Sequence, residues 1–137
     1  MNFTKVISVI PLFLVIMLLY LVMVYSGMDL SFGADPIFEL KLPSGKYWKP
    51  SWSGLLLMLS VIALYFEIVK STKTGTSTIV EHGLSMVVFI ACLILFLLLP
   101  LAGTSTFLII TLMSLLDVVA GFNITIASAR RDFTMGG

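Results

Sequence analysis

The sequence predicts an all-α membrane protein of four antiparallel helices, and three observations lead there. Charged residues make up 11% of the chain, where soluble domains carry about a quarter. Mean hydropathy is +1.13; a chain of 137 residues cannot hide that much apolar surface in water, because a small domain has too much surface for its volume. The apolar residues also fall into four runs, each near the roughly 20 residues that cross about 30 Å of hydrocarbon. Many are β-branched, yet an uninterrupted apolar run satisfies its own backbone in lipid only as a helix. The length gives a single domain over 1–137, with no room for a separate soluble one.

The first run, "VISVIPLFLVIMLLYLVMVYSG", covers 6–27. It exceeds the about 7–15 apolar residues of a signal peptide and no A-x-A site follows, so it reads as an uncleaved span. Pro11 lies in its second turn and is expected to bend it slightly. The loop 28–52 comes next, with "IFELKL" alternating: Phe38, Leu40 and Leu42 on one face, Glu39 and Lys41 on the other. That is a strand period. "PSGK" supplies a tight turn and "YWK" the return, which makes a small β-hairpin. Tyr47, Trp48 and Trp52 suit an outer aromatic belt. An isolated hairpin is marginal in water, so it should lie on the membrane, on the helices or on a partner, as anchor, lid or docking edge.

The second run, "SGLLLMLSVIALYFEIVK", covers 53–70, and the polar turn "STKTGTST" makes the next helix its antiparallel neighbour. Thr78 and Glu81 have the T-x-x-E spacing of a capping box. The third run spans 79–100, "LAGTS" is a tight turn, and the fourth run spans 105–129. The order is up-down-up-down. With both termini in the cytoplasm, Lys5, Lys70, Lys73, Arg130 and Arg131 lie inside, against Lys41, Lys46 and Lys49 outside. The excess of positive residues inside, sharpened by "ARRD" after the last helix, sets the orientation.

Inside these runs the polar residues stand out. Asp117 falls near the middle of the fourth helix, where a charge costs roughly 2.5–3.5 kcal/mol on insertion scales. On a helical wheel Thr106, Ser114, Asp117, Gly121 and Ser128 share a face, and its small residues allow another helix close. Ser53, Ser60 and Glu67 line the second helix at seven-residue spacing. Ser60 matches the depth of Asp117, and Glu67 that of Asn123, which lies on another face. His82, Ser85 and Cys92 share a face of the third helix, with His82 near the depth of Glu67. Two readings follow. In one, Ser60 hydrogen-bonds Asp117, held as the neutral acid that is cheaper in hydrocarbon, and the pair fixes helix packing. In the other, Asp117 is an intramembrane proton or cation site, with Glu67 and His82 as its cytoplasmic relay.

Other chemistry is not signalled. A net charge of +1 lacks the clustered basic footprint of a nucleic-acid binder. Cys92, alone, excludes an internal disulfide. No Cys/His cluster suits a metal, and no serine has histidine and acid at nucleophile spacing. The sequence predicts no enzyme and no cofactor.

"YFEIVKSTKTGTSTIVEHGLSM" and "LMSLLDVVAGFNITIASARRDF" resemble small four-helix inner-membrane proteins of bacteria, over roughly residues 53 to 135. The resemblance implies a bacterial inner membrane and a fixed "ARRDF" tail, and no activity. Function is therefore expected in assembly. The chain reads as an accessory or scaffold component, in the bilayer as a homo-oligomer or as a subunit of a larger complex. The alternatives are an oligomeric channel or proton-linked transporter with Asp117 in the path, and a haem-binding subunit using His82 across a dimer.

Overall fold

The computed structural model describes residues 3, 8–73 and 75–136, and the side chains of Thr76 and Asp132 are not among the details given below. Residues 6–7 of the expected first span, and Lys5, lie outside the described residues. The elements in chain order are α1 (Leu12–Tyr25), β1 (Leu40–Lys41), β2 (Tyr47–Trp48), α2 (Trp52–Lys70), α3 (Thr76–Leu98), a 3-10 turn (Pro100–Ala102) and α4 (Ser105–Met135). α2, α3 from Ser77 and α4 are long and apolar enough to cross a membrane; α1 is a shorter apolar helix.

The first helix departs from expectation. Ser8 and Val9 are helical, but Ile10 bends and Pro11 is extended at φ −65°, ψ 131°. Proline disfavours helical geometry in the residue before it and has no amide to donate. The result is a break and not a slight bend, with α1 restarting at Leu12. α1 ends in a Schellman motif: Met28 N–H donates to Met23 O at 3.0 Å and Gly27 N–H to Val24 O at 3.1 Å. Gly27 takes φ +89° there, which a side chain would oppose.

The hairpin forms, reduced to a ladder of Leu40 opposite Trp48 and Lys41 opposite Tyr47. Gly45 turns it at φ +83°, and Phe38 meets Trp48 edge-on at 5.9 Å. The expected alternation thus survives, but every ladder residue is exposed, and two short strands without a covered face cannot extend further.

α2 begins at an N-cap, where Ser51 Oγ accepts from Gly54 N–H at 3.3 Å. α3 starts at Thr76, earlier than expected, with Gly75 at its N-cap. Thr78 therefore sits inside the first turn, and its hydroxyl donates to Lys73 O at 3.1 Å in place of a capping box with Glu81. α4 runs through Arg130 and Arg131 to Met135, because neither glycine nor proline interrupts the chain between Gly121 and Gly136. "ARRD" is thus part of the helix and not a tail after it.

α4 packs against α1, α2 and α3. Tyr20 of α1 reaches it, its ring 4.7 Å from that of Phe107, and Phe13 and Ile16 belong to the same buried cluster. Burial is inverted relative to a water-soluble protein. Ser53, Ser60, Glu67, His82, Ser85, Thr106, Thr111, Ser114 and Asp117 are buried, while Leu98 is 78% and Val87 61% exposed. Such a surface suits hydrocarbon, where polar side chains gain by turning to other helices.

Candidate functional site

The polar residues concentrate where the start of α1, the end of α2, the start of α3 and the second half of α4 meet. Glu67 is 5% exposed. Its Oε1 accepts from the Leu12 amide of α1 at 2.8 Å and from Lys70 Nζ at 3.0 Å. Lys70 also donates to the Ile10 carbonyl at 3.3 Å. Leu12 N–H is an orphan donor of the first turn of α1, and Ile10 closes the chain before the break. One ion pair on α2 thus binds a backbone group on each side of Pro11.

His82, on α3, is 6% exposed. Its ring lies against the bare Cα of Gly121: a Cβ built there would meet Cε1 at 2.7 Å and Nδ1 at 2.9 Å. Phe122 flanks the ring at 5.0 Å. Thr125 donates to Ser71 O at 3.3 Å, so His82 Nε2–H donates to Thr125 Oγ1 at 2.7 Å. α2, α3 and α4 are joined through this hydroxyl.

Asp117 is buried. Its partner is the Ser85 hydroxyl of α3, and Glu67 and Lys70 lie within electrostatic reach. The expected bond from Ser60 is not made: Ser60 donates to Leu56 O of its own helix at 2.8 Å. A serine inside a helix competes for the carbonyl one turn back, which matching depth alone does not foresee. Ser114 donates to Thr111 O at 2.8 Å and its hydroxyl reaches Cys92, which is fully buried. Asn123 is exposed and leaves the internal set, as its place off the Asp117 face requires.

Glu67 is therefore within electrostatic reach of both Asp117 and His82, and His82 also of Glu81. The break at Pro11 and Thr125 were not singled out from the sequence, and Lys70 and Ser85 were named there without the roles they take here. Thr125 falls one turn beyond Gly121 on the helical wheel, so its position was readable; its partner was not. Among the described residues no group of three His, Cys, Asp or Glu side chains could hold a metal ion. No protein-family model, curated protein or solved structure matches the chain.

Proposed function

We propose that this chain is a four-span membrane protein with no catalysis of its own, an accessory or scaffold component that acts by assembly. One observation carries the reading: the helices present leucine, isoleucine, valine and phenylalanine outward and keep their polar groups on one another. The α1–α2 seam supports assembly. It holds two apolar grooves of about 260 and 200 Å³ that share Leu59. The occupant proposed is a second copy, whose own apolar helices suit such a seam. Four antiparallel spans, with both termini in the cytoplasm of a bacterial inner membrane, complete the proposal. α1 covers about 21 Å at 1.5 Å per residue.

Leu59→Cys tests it, because Leu59 is exposed and the native Cys92 is fully buried. Crosslinking in membranes should yield a covalent dimer from Leu59→Cys and not from Leu112→Cys, on the outer face of α4. Monomers at both positions, together with a monomeric mass in native measurement, would sink the proposal.

A second reading, an oligomeric channel or proton-linked transporter with Asp117 in the path, is favoured by the coupling of Glu67 to both Asp117 and His82 beside an interrupted helix. Proteoliposome proton flux, lost in Asp117→Asn and kept in Leu116→Ala, would support it. A haem site across a dimer fits less well, since the His82 ring is enclosed by Gly121, Phe122 and Thr125; a Soret band in purified protein would revive it.

A further inference from the structure

The break in the first helix brings the Ile10 carbonyl and the Lys70 ammonium to Glu67. The Ile10 carbonyl and the Glu67 carboxylate converge on one cation, the Lys70 ammonium, at 3.3 and 3.0 Å. Interrupted membrane helices hold sodium ions and protons with such groups, a carbonyl from the unwound turn beside side-chain oxygens. We propose that this break is a seat for a monovalent cation, filled by the Lys70 ammonium and taken by hydronium or sodium when that ammonium withdraws.

Two features make exchange reasonable. The Glu67 side chain is 6% exposed and the Lys70 side chain 23%. The anion is therefore fixed inside while the cation, on its flexible four-carbon stem, has a way out. The surrounding charges also favour refilling. Asp117 of α4 is coupled to Glu67, and His82 of α3 to Glu67 and Glu81. With Lys70 gone, the Glu67 carboxylate and the Ile10 carbonyl face an unfilled position, which draws in a replacement cation. The exchange balances charge, one cation entering as one leaves, and the Leu12 N–H remains on Glu67 throughout.

Amine footprinting of the full chain in nanodiscs tests this, with acetic anhydride as reagent and exposed Lys73 as internal reference. Replacing choline chloride by sodium chloride at equal ionic strength should raise Lys70 labelling relative to Lys73 several-fold. Lowering pH should do the same if hydronium takes the seat, so the two arms separate the cations. Glu67→Gln keeps an acceptor for Leu12 N–H but lacks the charge; in it Lys70 should label freely whatever the salt. Lys70→Met empties the seat, and its melting temperature should rise with sodium; adding Glu67→Gln should abolish that rise. A wild-type ratio indifferent to both sodium and pH, with no sodium response in Lys70→Met, would overturn the proposal and leave a static cap. A sodium response that persists without the Glu67 charge would overturn it too, by placing the ion elsewhere.

Discussion

At the end where α1 begins, the helices are tied by charge: Glu67 and Lys70 close the break, and His82 reaches across to Thr125. At the other end, among the described residues, neutral hydroxyls on loop carbonyls or on another hydroxyl make the ties between helices and loops. Tyr20 donates to Leu101 O at 2.9 Å and shares a 2.7 Å bond with Thr104. Thr106 donates to Leu30 O at 2.6 Å, and Ser53 to Ser31 O at 3.2 Å. A hydroxyl gives one modest bond and can be removed at modest cost. An ion pair in a water-poor place is different, since losing one partner strands the other. The charged end should therefore be the fragile one, and the end whose state can change.

The largest effect is expected for Glu67→Ala. It leaves the Leu12 amide without its acceptor and the Lys70 ammonium without its counter-charge, and should cost about 2–3 kcal/mol, below the usual loss for a broken buried pair because Lys70 reaches water and keeps the Ile10 carbonyl. Denaturant titration in mixed micelles measures it; a loss no greater than that of a hydroxyl deletion at the other end would erase the contrast. Gly121→Ala comes next. The new methyl must push the His82 ring aside, at about 1–2 kcal/mol for an overpacked site. His82→Ala should absorb most of that cost in the double variant, and additive losses would mean the ring does not rest on Gly121. Tyr20→Phe, at the neutral end, removes one hydroxyl and should cost about 1 kcal/mol.

Asp29 gives the smallest effect and a sign. Its carboxylate accepts from the Ser31 amide at 2.9 Å, and the Ser31 backbone and hydroxyl together hold its pKa below the usual carboxylate value. A carboxyl lowered on folding stabilises above its unfolded pKa and loses that contribution as pH falls through the folded one. Carbon-13 titration of the Asp29 carboxyl should therefore give a midpoint below that of an ordinary aspartate, and Ser31→Gly should raise it.

The second, third and fourth helices were legible because apolar length is a property of one segment at a time. Asp117 was legible for the same reason, since burying a charge constrains its surroundings wherever the partner comes from. Partners were not, because they depend on how helices rotate against each other. Ser60 stands at the right depth and turns to Leu56 O, while Ser85 takes Asp117. Pro11 was visible as a disturbance, but its size was set elsewhere. The flanking backbone groups of Ile10 and Leu12 are satisfied by residues 55 and 60 positions away, and a break in lipid is tolerable only when something satisfies them. Asn123, by contrast, lay off the Asp117 face in the sequence and lies off it in the fold.

The unbroken run of α4 has a mechanical meaning. Its 31 residues extend about 46 Å at 1.5 Å per residue, roughly 16 Å more than the hydrocarbon is thick. In the proposed four-span arrangement the same helix that carries Asp117 would emerge from the bilayer as a stiff spar bearing Arg130 and Arg131. A twist or tilt imposed on that projecting stem would be felt at the buried carboxyl, with no hinge between them to absorb it.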